Sequence, residues 1–245
     1  MDLEAHHLNL LLENVRIRNN GGFFMIIQRV LCLLIGYIFG LFQTGYIYGK
    51  IKHMDIREHG SGNAGTTNAM RVLGRKAGII TYLGDAFKAI FSAIVVYILF
   101  YNALDGKVFV LLLYSGLGVM IGHSYPFYMG FKGGKGIAAA SGAIVGILDW
   151  KFILLALITF ATVTMISKYV SLGSLCMMVG FFIEVILFSQ LDMIDNLAKG
   201  DRIEAYIIAF LMAALAFFKH SGNIVRLING NERKIGQKKE EVNNG

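Results

Sequence analysis

The stretch with the clearest chemical potential is residues 60–71, GSGNAGTTNAMR, which is rich in glycine and in polar side chains. Glycines let the backbone curl so that successive N–H groups point into one concavity, and such a concavity can hold an anion. Arg71 adds a planar guanidinium that can bind two phosphate oxygens at once. Ser61, Asn63, Thr66, Thr67 and Asn68 add side-chain donors. The segment therefore predicts an anion site. A loop in which Thr67 or Asn68 merely caps a helix starting near Ala69 is the alternative.

A second candidate anion site is the segment 131–136, FKGGKG, which runs straight into an apolar stretch. Glycines for close backbone approach, a lysine and the N-terminus of a helix together favour a bound anion. The segment is not a P-loop, because Gly136 follows Lys135 where a serine or threonine is required. A basic anchor at the membrane interface would need no glycines, so the three glycines favour the anion site.

The remaining polar clusters have a simpler interpretation when each is taken alone. Ser171 is explained by a helix cap, and His220, Asn223 and Arg226 are explained as residues that face lipid headgroups. His123, at the end of an apolar run, is interpreted as a residue that supports a site rather than one that reacts. The histidines show neither an H-x-x-x-H nor an H-E-x-x-H spacing, so no metal site is predicted.

Charged residues also occur inside the apolar runs. Asp85 and Lys88 are three positions apart, so they lie on one face of a helix and can form an ion pair. Glu184 stands alone in another run. A charge within a membrane indicates function by default, but an ion pair near the interface and a lone Glu facing another helix are equally explained as structural.

The composition indicates a polytopic membrane protein. Of 245 residues, 56% are hydrophobic and 16% charged, with a single proline, whereas soluble domains usually carry about 25% charged residues. The net charge is +7, and the basic residues lie at the ends of apolar runs. This placement is typical of membrane orientation signals and argues against nucleic acid as a partner. Cys32 and Cys176 lie inside apolar runs and are predicted to fill the core.

The apolar runs predict an all-α protein with seven transmembrane helices, since about 20 apolar residues cross a bilayer. The fourth span is short and is separated from the fifth only by Trp150 and Lys151, so six spans is the alternative. The predicted spans are Ile26–Gly49, Ile79–Tyr101, Val108–Gly122, Ile137–Asp149, Phe152–Ser167, Ser171–Gln190 and Ile203–Phe218.

Charge asymmetry then predicts the orientation. With seven spans, most of the 23 Lys and Arg residues fall on one side, which should be cytoplasmic, with the N-terminus outside and the C-terminus inside. The polar clusters at 61–71, 123–136, 168–171 and 220–232 all lie on that side. Residues 25–236 form the membrane domain and 237–245 a polar tail. Residues 1–24 are interpreted as an extension, either a disordered tail or the result of a start codon assigned too early.

The polar clusters, in this order, resemble the signatures of the bacterial membrane acyl-phosphate:glycerol-3-phosphate acyltransferases. The resemblance covers about residues 25–236. It departs from the family at Thr66, where alanine is usual, and at residues 138–140. The matching elements are SGNAGTTN at 61–68 with Arg71, LGD at 83–85 with Lys88, GH at 122–123 with Pro126, FKGGKG at 131–136 and YVSL at 169–172. The last element consists of His220, Asn223, Ile224, Arg226, Leu227, Gly230, Glu232 and residues 234–236.

This resemblance implies an enzyme of the bacterial inner membrane whose site faces the cytoplasm. It implies transfer of a fatty acyl group from acyl phosphate to the 1-hydroxyl of glycerol 3-phosphate, giving lysophosphatidic acid and phosphate without a cofactor or metal. The implied catalytic residues are Ser61, Arg71, Lys135, Ser171, His220 and Asn223. The implied substrate-binding residues are Gly62, Asn63, Asn68, Lys132, Gly133, Gly134, Gly136 and Glu232.

In this interpretation the acyl group passes directly to the hydroxyl, because the sequence shows no Ser-His-Asp arrangement. The base is either His220 or a substrate phosphate. An acyltransferase that uses acyl-CoA or acyl carrier protein would commonly show an H-x-x-x-x-D pattern, which is absent from the sequence. An anion transporter would be expected to show related halves and helices broken at the midplane, and neither is visible.

Overall fold

The secondary structure of the protein is entirely helical in the computed structural model, which describes residues 24–236. The helices are α1 (residues 24–40), α2 (Thr44–Ile51), α3 (Thr66–Leu73), α4 (Arg75–Phe100), α5 (Phe109–Ser124), α6 (Ile137–Gly146), α7 (Trp150–Ser167), α8 (Val170–Gln190), α9 (Arg202–Lys219) and α10 (Ser221–Ile228). The predicted N-terminal extension, apart from Phe24 at the start of α1, and the predicted polar tail lie outside the described residues.

Five stretches of the described chain are long and apolar enough to cross a membrane: Phe24–Ile51, Arg75–Phe100, Phe109–Met129, Trp150–Ser167 and Val170–Gln190. Helices α9 and α10 add a sixth if the pair, bent by 63°, is one broken span. The protein is therefore an all-helical membrane protein with five or six candidate spans by length.

Two predicted boundaries differ from the structure. Helix α6 ends at Gly146 and has 10 residues, so it is about 15 Å long, half of a hydrocarbon core of about 30 Å. Trp150 and Lys151 do not separate two spans but begin α7, because the Asp149 carboxylate accepts a hydrogen bond from the Lys151 amide at 3.0 Å and caps that helix. The first predicted span is also interrupted, at residues 41–43 between α1 and α2.

Glycines let α1 and α5 pack with their backbones in contact. A methyl group at Gly36 would lie 2.1 Å from the Ser115 carbonyl oxygen, and one at Gly118 would lie 2.2 Å from the Leu33 carbonyl oxygen. Gly40 and Gly122 repeat this arrangement one helical turn further on. Each helix thus carries two glycines four residues apart, the pattern that permits the closest helix pairs in membranes.

Aromatic rings fill the core on the other side of α5. The Phe152 ring of α7 lies 5.8 Å from Phe109 of α5, and 5.7 Å and 5.2 Å from Phe181 and Phe188 of α8, measured between ring centres. Offset and edge-to-face pairs at these distances are the favoured packing of aromatic side chains. This cluster holds α7 and α8 against the buried helix α5.

The predicted ion pair between Asp85 and Lys88 is confirmed. The two groups are 2.9 Å apart and almost fully buried in α4. The Lys88 ammonium also donates to the carbonyl oxygens of Gly40, at 3.3 Å, and Phe42, at 2.5 Å. These carbonyls belong to the break between α1 and α2, so the lysine satisfies backbone acceptors that an unbroken helix would have paired internally.

Cys32, Cys176 and Glu184 also lie within the helices. Cys32 is buried and Cys176 half-buried, both as free thiols, in agreement with their predicted place in the core. Glu184 is buried in α8, and its Oε2 accepts no hydrogen bond from the described residues.

The turns between helices gather at two ends of the bundle. One end, called here the site end, carries residues 52–65, 125–136, 168–169 and 229–236, and is closed by α3 and α10. The Ile235 amide donates to the Lys168 carbonyl there, at 2.9 Å. The opposite end carries residues 101–108, 147–149 and 191–201, where the Phe109 amide donates to the Asn196 carbonyl at 3.0 Å. Most of the polar clusters identified in the sequence lie at the site end.

Candidate active site

The carboxylate of Glu232 is the centre of the candidate site. Its Oε1 accepts hydrogen bonds from the Ser171 hydroxyl at 2.9 Å and from the Asn223 amide at 2.6 Å, and its Oε2 accepts one from the Arg226 Nε at 2.7 Å. Burial favours the neutral acid, but these three hydrogen bonds outweigh it and lower the pKa of Glu232 below its usual 4.5. The segment after α10 is thereby tied to α8 and α10.

Lys135 joins the FKGGKG segment to this centre, because its ammonium donates to the Asn223 side-chain oxygen. The side chain is half-buried at the start of α6. Burial is the largest cause that lowers the pKa of Lys135, to about 8, with Arg226, Arg71 and Lys219 acting in the same direction against Glu232. A lysine in this setting has a strong tendency to gain a further anionic partner.

Arg71, in the last turn of α3, is partly exposed and interacts with the same group electrostatically. Burial and the nearby Arg233 and Arg226 lower the pKa of Arg71, while Glu232 opposes them. Arg226 binds the Glu232 carboxylate directly, and Arg71 and Lys135 interact with it electrostatically. Arg233, the next residue in the chain, interacts electrostatically with Arg71. We call these five residues the cationic cluster. Its excess of positive charge fits an anion with more than one negative charge.

His220 lies beside this cluster at the junction of α9 and α10 and is buried. Its Nδ1 is 2.7 Å from the carbonyl oxygen of Ala216. Because a carbonyl oxygen only accepts, Nδ1 carries the proton, and in the neutral ring Nε2 is left as a proton acceptor. Lys135 and Glu232 are the charged groups that act electrostatically on the ring.

The glycines of the FKGGKG segment have a different task from the one their composition suggests. The amides of Gly133 and Gly134 donate to the carbonyl oxygens of Ser124, at 3.2 Å, and His123, at 3.1 Å. A methyl group at either glycine would lie 2.0 Å from an atom of His123. The amides at 133 and 134 are thus engaged in seating the segment on the end of α5. Gly136, with a φ of +81°, turns the chain into α6.

The segment 60–71 is held by Asn68. The Asn68 side-chain oxygen accepts from the Ser61 amide at 2.8 Å, and its nitrogen donates to the carbonyls of Ile56 and His59, both at 3.0 Å. Helix α3 begins at Thr66, earlier than in the capping alternative, so Asn68 lies within the helix and shapes the loop. Asn63 adds a turn by accepting from the Gly65 amide at 2.9 Å.

Hydrogen bonds join four residues selected from the sequence: Lys135, Ser171, Asn223 and Glu232. Arg71 and His220, also selected from the sequence, interact electrostatically with this group. Ser61, Gly62 and Lys132 are exposed. No hydrogen bond among residues 24–236 joins the side chain of Ser61 or Lys132 to the cationic cluster. A role for them in binding stays a prediction.

Sequence reasoning gave Arg226 and Lys219 too little weight. Arg226 binds Glu232, and Lys219 donates to the Ser124 carbonyl at 3.2 Å while its ammonium lies 4.5 Å from the centre of the Tyr125 ring. A signal for Arg226 was present, because it follows Asn223 by three residues and so shares its helix face. The described residues contain no group of three or more His, Cys, Asp or Glu side chains that could hold a metal.

Comparison with known proteins places this arrangement in a family. The sequence model described as glycerol-3-phosphate acyltransferase matches residues 30–230. A glycerol-3-phosphate acyltransferase of Macrococcus caseolyticus is 40% identical over 215 residues, which are 86% of this chain and 100% of that protein. One of Clostridioides difficile is 39% identical over 217 residues, 88% of this chain and 99% of that protein.

Two solved structures share the fold. The crystal structure of PlsY (YgiH), an integral membrane glycerol 3-phosphate acyltransferase, in its glycerol 3-phosphate form superposes with a TM-score of 0.71 at 29% identity, covering 85% of this chain and 96% of that one. Its lysophosphatidic acid form gives 0.70 at 28% identity, covering 85% and 95%. This all-helical membrane protein with its cationic cluster thus belongs to the glycerol-3-phosphate acyltransferase family.

Proposed function

We propose that this protein transfers a fatty acyl group from an acyl phosphate to the 1-hydroxyl of sn-glycerol 3-phosphate. The products are lysophosphatidic acid and inorganic phosphate, as in the first acylation of phospholipid synthesis. Support comes from the relative whose crystal forms contain glycerol 3-phosphate and lysophosphatidic acid. The observation that carries the proposal is the excess of cations around Glu232, which suits two phosphorylated substrates.

The reaction needs positioning and charge neutralisation more than a strong nucleophile. The glycerol hydroxyl oxygen attacks the acyl carbonyl carbon, a C–O bond to the acyl carbon forms, and the C–O bond to the phosphate breaks. The phosphate leaves with the bonding electron pair, while the hydroxyl proton passes to His220 Nε2 or to a phosphate oxygen. Fixed cations next to both phosphates stabilise the charge that shifts to the leaving group.

The proposed roles follow from position. Arg71, Lys135 and Ser61 bind phosphate oxygens. Ser171, Asn223 and His220 line the part of the pocket that orients the glycerol hydroxyl, and Glu232 holds Ser171 and Asn223 in place. Gly62, Asn63, Asn68, Lys132, Gly133, Gly134 and Gly136 give the two loops their shape around the substrates. No cofactor or metal takes part in this scheme.

We further propose that the site end faces the cytoplasm of a bacterial inner membrane, with seven helices crossing or entering the bilayer. In this arrangement α6 is the short fourth span, the N-terminus is outside and the C-terminus is inside. The concentration of Lys and Arg at the site end supports this orientation. The acyl chain of the donor would then stay among the helices while its phosphate reaches the cationic cluster at headgroup level.

The donor is the part of this proposal that one assay can decide. Purified protein is incubated with glycerol 3-phosphate and, in separate reactions, with an acyl phosphate, an acyl-CoA or no donor, and lysophosphatidic acid is measured. We expect product only with acyl phosphate, together with an equal amount of released phosphate. Product formed from acyl-CoA at a comparable rate would overturn the proposed donor.

Arg71→Lys should lower kcat/KM about 30-fold, because it keeps the charge but loses the two-pronged contact with phosphate, a loss of about 2 kcal/mol. Arg75→Lys is the matched control, since Arg75 is exposed at the start of α4 at the same end of the bundle. Both variants should remain folded and inserted in the membrane. Near-normal turnover of Arg71→Lys would remove Arg71 from the site.

The activity should also depend on pH through Lys135. Its pKa, lowered to about 8, means that the ammonium is present below that pH and is lost as pH rises through it. We therefore expect kcat/KM to fall above about pH 8, and the fall to move to much higher pH in Lys135→Arg, because a guanidinium titrates above about 12. Profiles of both proteins between about pH 6 and about pH 10 test this. An unchanged fall in Lys135→Arg would mean that another group controls it.

A further inference from the structure

A second polar network lies directly beneath the FKGGKG segment and outside the cationic cluster. Asp85, Lys88 and His123 are between 1% and 4% exposed. The Lys88 ammonium lies 2.9 Å from the Asp85 carboxylate and 2.8 Å from the Nδ1 of His123. Asp85 also accepts a hydrogen bond from the Thr44 hydroxyl at 3.1 Å. Buried polar groups that bind one another in this way usually fix a single local geometry.

This network determines the protonation of His123. A charged ammonium only donates hydrogen bonds, so the His123 Nδ1 facing it must accept. The ring is therefore neutral, and its proton is on Nε2, at the far edge. Lys88 is itself held by Asp85 and by the carbonyls of Gly40 and Phe42. The orientation of the imidazole is thus set by groups on α4 and at the break between α1 and α2.

The far edge of the same ring supports the segment that carries Lys135. A methyl group on Gly134 would lie 2.0 Å from the His123 Nε2, which means that the backbone of Gly134 rests on the ring. The Gly134 amide is bonded to the His123 carbonyl at 3.1 Å. Residue 135 follows immediately, and its ammonium binds Asn223. A displaced ring would displace the Gly134 backbone and, with it, Lys135.

We propose that Asp85, Lys88 and His123 are positioning residues for Lys135. Asp85 holds Lys88, Lys88 fixes one tautomer and one orientation of His123, and the ring sets the height of Gly134 and hence the place of the Lys135 ammonium in the anion site. None of the three touches substrate. This inference rests on the proposed function only in taking Lys135 as a phosphate ligand.

The test uses two substitutions separately and together in the full-length protein. In His123→Asn the shorter side chain keeps an acceptor for Lys88 but removes the edge under Gly134. In Gly134→Ala the new methyl group collides with the ring. The readouts are the affinity for orthophosphate, measured by calorimetry, and the unfolding temperature. Phosphate affinity tests the position of Lys135 even if acyl phosphate proves not to be the donor, so failure of the inference and failure of the proposed function are distinguishable.

We expect each single variant to bind orthophosphate about 10- to 100-fold more weakly while still unfolding cooperatively, since a shift of about 1 Å in a ligand group has effects of this size. In the double variant the methyl group occupies the space that the ring has left. Adding Gly134→Ala to His123→Asn should therefore cost less than about threefold. Losses that multiply in the double variant, or single variants with normal phosphate affinity and only a lowered unfolding temperature, would overturn the proposal.

Discussion

Lys135→Met should reduce kcat/KM by about 100- to 1,000-fold, because it removes one fixed cation from the place where negative charge gathers on the leaving phosphate. Methionine has nearly the length of lysine and no charge to bury, so the variant should fold at least as well as the parent. The Lys135 ammonium binds Asn223 beside Glu232, at the centre of the cationic cluster. Acyl transfer and thermal unfolding are measured on the same preparation.

The control for this variant is Lys76→Met. Lys76 is exposed in the first turn of α4, at the same end of the bundle. The Lys76→Met variant loses the same charge at a position outside the cationic cluster, so its activity should equal that of the parent. If both variants lose activity to a similar degree, the general positive potential of the site end matters and the specific contact of Lys135 does not.

Gly118→Ala should strongly lower the stability of the protein. Its methyl group would lie 2.2 Å from the Leu33 carbonyl oxygen of α1, and a backbone atom cannot turn aside as a side chain does. The helices would have to separate, which should cost about 3 kcal/mol or more and lower the unfolding temperature by about 10 °C. Thermal unfolding in detergent, followed by size-exclusion chromatography, measures this loss.

Gly180→Ala provides the matched comparison. Gly180 also lies within a membrane helix, α8, but a methyl group there would be 3.6 Å from its nearest neighbour, the Glu184 Oε1, an ordinary contact. Its unfolding temperature should therefore be close to that of the parent. An unfolding temperature of Gly118→Ala equal to that of Gly180→Ala would show that α1 and α5 are not in backbone contact.

The sequence predicts the helical spans well wherever the apolar run is long. Hydropathy alone identifies the runs that become α4 and α8, and the three-residue spacing identifies the Asp85–Lys88 ion pair. It does not predict the end of α6, because the run from Ile137 to Asp149 is apolar on both sides of Gly146 and composition does not show where the helix stops. The break between α1 and α2 is likewise stabilised by Lys88, which lies more than 40 residues away.

In the candidate site, too, local sequence predicts some features while contacts between distant residues determine others. Several parts of the candidate site can be selected locally: an arginine after a glycine-rich loop, a lysine before a helix, and a histidine and an asparagine three residues apart. Their convergence depends on contacts between distant parts of the chain, such as that of Lys135 with Asn223. Local composition also misassigns Gly133 and Gly134. Glycines that approach a ligand and glycines that pack on a histidine look identical until the neighbouring helix is in place.

One kinetic measurement tests most directly whether a single cationic cluster holds both phosphates while the acyl group passes between them. Initial rates are measured over a grid of acyl phosphate and glycerol 3-phosphate concentrations. Simultaneous occupancy predicts double-reciprocal lines that intersect, with no acyl group retained on the protein when acyl phosphate is supplied alone. Parallel lines, accompanied by a stable acylated protein, would contradict this account.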